Sequence, residues 1–520
     1  MSHFTSYPAY KRLEELAREP LDLSKKGELS EDRIRDFQLT VDITDADYLK
    51  LLYGTECVDE KAVEALCELA GQSGAVSHMR AIQAGEVVNS SEGRPALHTA
   101  MRLAPDEEGI PAAAAASAKL QMEQLKKLST FLQEIEGEIT DFVQIGIGGS
   151  DLGPRAIYYA LERYKLEGRN AHFISNVDPD AAAAVLARLN LKTTMVVVVS
   201  KSGTTLETLT NEAIVRAAYD RMGISAEKQF VLITSEGSPL DNADSLTKYR
   251  AIFHMWDSIG GRYSVTSMIG AVTLAFAFGM PAFLDFLSGA RVMDKNALEE
   301  DPRKNLSLFS ALLGIWNRNF LNHQSVAVIP YSESLGRFIA HLQQLDMESN
   351  GKQCDRDGAP IDFETGPIIW GEPGTNSQHS FFQSIHQGKR VVPIEFIAFK
   401  RSQHEKDLEV QGTTSQQKLL ANLFAQSLAL ATGENNENLN KKFFGNRPSR
   451  ILLAGQLTPY TMGAILAYYE NKVAFQGFIW DINSFDQEGV QYGKKLALKM
   501  LDLFKDAGDF PLGSAYLSHL

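Results

Sequence analysis

Ser200-Lys201-Ser202-Gly203-Thr204-Thr205-Leu206-Glu207-Thr208 stands directly after Val196-Val197-Val198-Val199. The valine run reads as a strand buried on both faces. Beyond the polar stretch, apolar residues at 206, 209, 213 and 217 recur at helical spacing. The segment is therefore a strand, a loop and a helix start, carrying five hydroxyls, one lysine and one glycine. Free amides at a helix N-terminus, hydroxyls and an ammonium suit a phosphate dianion. Thr204 and Glu207 also fit a capping box, but a cap needs one hydroxyl, not five and a lysine.

Working outward, strands are expected at 142–147, 194–200, 229–234 and 251–255. Helical patterns between several of them point to a parallel sheet with right-handed crossovers. A charged stretch at 291–304 reads as a hinge. A second α/β unit follows, with strands expected at 326–330, 391–398, 451–454 and 475–480. Residues 1–110 read as mostly helical, with a helix at 59–72, and a long alanine-rich helix follows at 111–137. The expected organisation is a helical N-terminal region (1–115) packed on the second domain, a first α/β domain (116–290) and a second (291–520). Two such units in tandem place a ligand in the cleft between them.

Composition narrows the chemistry. A chain of 520 residues exceeds one core. Its 44% hydrophobic and 22% charged content is that of a soluble globular protein. A net charge of −14 argues against broad nucleic-acid or membrane-surface binding, yet permits a locally basic pocket. Cys57, Cys67 and Cys354 make no CxxC pair, which fits a reducing, cytoplasmic setting. Residues 1–20 lack the apolar core of a signal peptide. The uncharged window 265–284 has the length of a membrane span, but Gly270, Gly279 and Pro281 interrupt it, so a buried helix is expected.

Further segments carry chemistry-bearing residues. Gly146-Ile147-Gly148-Gly149-Ser150-Asp151 fails the dinucleotide spacing, because its sixth position is not glycine. It remains a Gly-rich turn that brings backbone and Ser150 to a small ligand. Arg262 follows two glycines, which allow close backbone approach beside a fixed positive charge. Gln344 and Glu348 lie four apart on a helix over 334–348, and Glu348 is a candidate general base. His379 and His386, seven apart, make a poor metal site without a third ligand. Asp486 reads as an N-cap, with Gln487, Gln491 and Lys494 on one face of the last long helix.

Together these segments resemble the glucose-6-phosphate isomerase (phosphoglucose isomerase) family. The matching motifs are SDLGP, SKSGTTLET, GGRYS, QQLDMESNGK, GEPGTNSQHSFFQSIHQG and FDQEGVQYGK, with Asn89 to His98 also similar. The resemblance implies two sugar-isomerase (SIS) type domains, a homodimer, no metal and no organic cofactor. It implies interconversion of glucose 6-phosphate and fructose 6-phosphate through a cis-enediol. Glu348 would move a proton between C2 and C1. His379, given by the partner subunit, would assist ring opening with Lys494, and Arg262 would stabilise the enediolate. Ser200, Lys201, Ser202, Thr205 and Thr208 would hold the phosphate, near Gly149 and Ser150. Gln344 and Gln487 would contact sugar or phosphate oxygens. Two departures stand out: Ser202-Gly203 replaces the family's usual Thr-aromatic pair, and Gln491 stands where glutamate is frequent. A non-catalytic phosphosugar-binding regulator would need the phosphate loop, but not Glu348, His379, Arg262 and Lys494 together.

Overall fold

Strand order decides where a ligand can sit in this molecule. The computed structural model describes residues 3–104, 107–404 and 406–520. Near the N-terminus, β1 (Gln38–Asp42) and β2 (Tyr48–Leu52) form an antiparallel hairpin. Next come β3 (Asp141–Ile145), β4 (Asn170–Ile174), β5 (Thr194–Val199), β6 (Phe230–Ser235) and β7 (Ala251–Met255). They form a wholly parallel sheet in the order β4-β3-β5-β6-β7. The second half supplies β8 (Ser325–Pro330), β9 (Ile368–Trp370) and β10 (Ile394–Arg401), then a small ribbon of β11 (Glu409–Val410) and β12 (Thr413–Thr414), and finally β13 (Ser449–Gln456). The larger sheet runs β1-β2-β13-β10-β8-β9.

Both sheets reverse direction once. In the first, the chain turns back between β3 and β5; in the second, between β8 and β10. Ligands in open parallel sheets sit beyond the carboxyl ends of the strands at such a reversal. Ile145 lies opposite Val198 across that point in the first sheet, so β3 and β5 deliver their loops side by side. Those loops are the Gly-rich turn and the Ser200–Thr208 segment.

Most expected strands appear, with ends shifted by a few residues. The exception is 475–480, which forms the last turns of one long helix, Pro459–Ile479. That helix is buried almost all round, so its sequence carries no 3.6-residue polar face to separate it from a buried strand. Small residues let it touch the neighbouring helix Met280–Asn296. A Cβ on Gly463 would lie 1.8 Å from the Phe286 carbonyl oxygen.

The expected hinge at 291–304 is also corrected. Residues 291–296 are the end of the helix Met280–Asn296, and Asp294 is buried, accepting from Arg102 Nη1 at 2.9 Å. Asp294 belongs to a buried ion pair, whereas Lys295, Glu300, Arg303 and Lys304 of the same stretch are exposed. The apolar window 265–284 splits at Gly279 (φ +86°) into the wholly buried helix Met268–Phe278 and the start of the next. Among the described residues, no helix is long and apolar enough to cross a membrane.

The helical N-terminal region holds Glu60–Gln72 and adds the unexpected hairpin β1–β2; the helix Ala112–Glu134 begins at its end and runs into the first α/β domain. Leu52 pairs antiparallel with Ile451, so this hairpin extends the second sheet past β13.

Candidate active site

The helix after β5 begins at Leu206 with Thr205 as its N-cap, and no side chain caps it; the capping box of Thr204 and Glu207 is absent. The loop hydroxyls instead touch one another. Ser200 Oγ reaches Thr205 Oγ1 at 3.3 Å, and Ser202 Oγ lies 3.0 Å from Thr204 Oγ1. Thr208 Oγ1 is buried in the first turn without a partner. Gly203 has φ +67°, and a Cβ there would lie 3.1 Å from the Leu240 amide nitrogen. An aromatic residue does not fit this loop conformation.

Lys201 lies between main-chain carbonyls and one exposed carboxylate, Asp257 Oδ1 at 3.7 Å. Its Nζ donates to the carbonyls of Asp257 at 3.0 Å and Ile259 at 2.9 Å. Burial, and the positive charge of nearby Arg94, push the ammonium down to about 8. A desolvated lysine beside a second cation gains when an anion arrives.

The Gly-rich turn after β3 joins this loop to the second unit. A Cβ on Gly149 would sit 2.0 Å from the Gly261 carbonyl oxygen, so the two backbones abut. Gly148 (φ +60°) lies against the Gln344 amide; a Cβ there would be 3.3 Å from Nε2. Ser150 is half-buried, and its carbonyl accepts from Gln144 Nε2 at 2.6 Å.

Arg262 is 1% exposed and spans several partners. Nη1 donates to Glu348 Oε1 at 2.8 Å and more weakly to Gln487 Oε1 at 3.4 Å. Nε donates to Ser349 Oγ at 2.6 Å. Nη2 donates to the carbonyls of Ser484 at 2.6 Å and Asp486 at 3.0 Å. Glu348 Oε2 accepts from Gln344 Nε2 at 3.0 Å, so both carboxylate oxygens are held. The Glu348 side chain keeps 21% exposure, which leaves it open to a ligand.

Gln344 and Glu348 meet on a π-helical turn (Gln344–Glu348), not on the regular α-helix their spacing implied. The α-helix Phe338–Gln343 widens there by one residue per turn, a distortion that recurs at functional sites. Asp486 is corrected too. The last long helix starts at Gln491, and the Asp486 carboxylate instead takes the Lys352 ammonium and the Ser91 hydroxyl. Lys352 was readable only as the last residue of the motif that contains Glu348.

Two candidates, His379 and Lys494, make no hydrogen bond or ion pair with this cluster among the described residues. His379 ends a short 3-10 turn (Asn376–His379) and is exposed, and its imidazole has no hydrogen-bond partner among the described residues. His386 lies elsewhere, bonded through Nε2 to Gln426 at 2.8 Å. Lys494 is exposed on the helix Gln491–Leu503, which buries none of its residues. Among the described residues, no three His, Cys, Asp or Glu side chains come together as metal ligands would.

The geometry therefore offers a held carboxylate, a buried guanidinium and a separate hydroxyl-rich cationic loop. Known proteins share this chain's sequence and structure over nearly its full length. The family model described as phosphoglucose isomerase matches residues 52–510. The glucose-6-phosphate isomerase of Protochlamydia amoebophila (strain UWE25) is 55% identical, covering 100% of this chain and 97% of its own. That of Desulfotalea psychrophila is 52% identical over 98% of this chain and 97% of its own. The crystal structure of a glucose-6-phosphate isomerase from Chlamydia trachomatis D/UW-3/Cx superposes with a TM-score of 0.95 at 48% identity, covering 99% of this chain and 98% of that one. The chain belongs to the phosphoglucose isomerase family.

Proposed function

We propose that this protein interconverts glucose 6-phosphate and fructose 6-phosphate through a cis-enediol intermediate. The observation that carries the reading is Glu348, held at one oxygen by Gln344 and at the other by buried Arg262. Isomerisation moves one proton between C2 and C1 and another between their oxygens, and leaves the sugar's overall oxidation state unchanged. A carboxylate can take that proton from one carbon and return it to the other. The guanidinium offsets charge on the oxygen as the enediolate forms, without reorganising during the step.

In this reading, residues 116–290 hold the phosphate and 291–520 hold the base. Ser200, Lys201, Ser202, Thr205 and Thr208 anchor the phosphate, with Gly149 and Ser150 beside them. Gln344 and Gln487 contact substrate oxygens. Anchoring the remote phosphate orients the reacting carbons. His379 opens the sugar ring together with Lys494, and comes from the second subunit of a homodimer. Three features support the dimer: His379 lies open on the surface, Leu408, Leu439 and Phe444 are exposed, and so are Leu498, Phe504 and Tyr516 near the C-terminus. The chemistry calls on no metal or organic cofactor.

A coupled assay on fructose 6-phosphate tests the reading, and turnover unaffected by a chelator is the expected result. A purified dimer that fails to convert fructose 6-phosphate overturns it. The anchor has its own signature. The free Lys201 ammonium is lost as pH rises through about 8, so kcat/KM is expected to decline above that pH. Lys201→Met is expected to raise KM by about 10- to 100-fold, the worth of one charge-assisted hydrogen bond, and to lose that component of the profile. A variant with unchanged KM and an unchanged profile removes Lys201 from the anchor.

A further inference from the structure

Behind the π-helical turn that bears Glu348 lies a cavity of about 20 Å³, walled by Asp346, Arg450, Tyr469, Lys472, Gln476 and apolar residues, among them Val326, Val328 and Ile369 of β8 and β9. That is room for a single water. Asp346 and Gln476 both line it, and each has a buried oxygen, Oδ1 and Oε1, with no donor. The Tyr469 hydroxyl stands beside Glu395 without a well-formed hydrogen bond to it.

The nearby cations are committed elsewhere. Lys472 Nζ donates to Glu395 at 2.7 Å. Arg450 donates to Glu395 through Nε at 2.8 Å and to Glu56 at 3.3 Å. Asp346 is bonded to neither cation, so three buried carboxylates share two positive charges. Burial pushes the Asp346 carboxyl up to about 7, with Lys472 opposing the shift. Acceptors in this position call for a small neutral molecule that donates twice.

We infer that one buried water fills this cavity, donating to Asp346 Oδ1 and Gln476 Oε1, and that Asp346 acts through it as a positioning residue for the turn that carries Glu348. A π-helical turn departs from regular helix geometry, so side-chain contacts must set its orientation. Gln344 and Arg262 hold it on the cleft side. Asp346 and the water hold it on the opposite side, against the helix Pro459–Ile479 that carries Gln476. The role rests on Glu348 being the base.

A high-resolution crystal structure of the wild-type protein tests the water directly. Density bonded to both oxygens is expected, and a dry or collapsed cavity overturns the inference. Kinetics test the positioning. Asp346→Leu removes the acceptor and fills the space. It is expected to lower kcat by about 10- to 100-fold, as a misplaced base does, with KM for fructose 6-phosphate within about 2-fold. Asp346→Asn keeps the acceptor and is expected to recover kcat to within about 3-fold of wild type. If Asp346→Leu does not fold, Gln476→Leu replaces it with the same expectation. Wild-type protein inactive on fructose 6-phosphate would sink the functional reading and leave the crystallographic test standing. Active wild type with unchanged kcat in the leucine variant, or with KM altered in step, would overturn the positioning role alone.

Discussion

Glu348→Gln is expected to lower kcat by about 10²- to 10⁴-fold, the usual contribution of a positioned general base. Glutamine keeps the length of the side chain and an oxygen for Arg262 Nη1, now 2.8 Å from Oε1. It loses the basicity that removes a proton from carbon. The Ser200–Thr208 loop, to which the proposal assigns the phosphate, follows β5 and is unchanged, so affinity for glucose 6-phosphate is expected to stay within a few-fold of wild type. The decisive measurement is exchange of the C2 proton with deuterated water, read by NMR alongside equilibrium binding. Loss of exchange with binding retained assigns the proton step to Glu348. Exchange at the wild-type rate would falsify the assignment.

Arg262→Ala is expected to strike stability and catalysis together. The guanidinium ties the Glu348 turn to Ser484, Asp486 and Gln487, and is itself fully buried. Alanine would leave the Ser484 carbonyl without its charged donor and Glu348 without its cation, while the Asp486 carbonyl would keep Lys352 Nζ at 2.9 Å. A loss of about 3 kcal/mol or more follows from truncating one member of such a network. The kcat of the folded fraction is expected to fall by about 10²- to 10³-fold, as when a preorganised oxyanion partner is removed. Arg262→Lys keeps the charge but cannot span the same fork of acceptors, so it is expected to recover only part of either loss. Denaturant midpoints and kcat measured on the same preparations separate the two effects. An alanine variant that unfolds at the wild-type midpoint would show that the ties to Ser484 and Asp486 do not constrain the fold.

Legibility of the chain followed the strength of local signals. Val196 to Val199 and the polar loop after them were readable because a strand buried on both faces is apolar without interruption. The helix expected over 334–348 ends two residues beyond that bound, at Asn350. Residues 475–480 misled for the converse reason: a helix buried on all sides looks like any other apolar run. β4 escaped because Asn170-Ala171-His172-Phe173-Ile174 is short and polar at its start. Of the site, residue types were legible and their relations were not. Arg262 looked as much like a surface loop residue as a buried hub, since its partners lie 86 to 225 residues away in sequence. The π-helical turn at Gln344 was invisible because spacing arguments assume a regular helix. His379 and Lys494 became candidates through family resemblance, and among the described residues they make no hydrogen bond or ion pair with the cluster.

The abutting backbones of Gly149 and Gly261 carry an asymmetry for evolution. A side chain on Gly149 would drive into the Gly261 carbonyl, whereas a Cβ on Gly261 would meet Gly149 Cα at an ordinary 3.8 Å. The two glycines look alike in sequence, yet one is a frozen position and the other has slack. A saturation library selected for isomerase activity is expected to return no replacement at 149 and to admit alanine at 261. Divergence at this junction can begin on one side only.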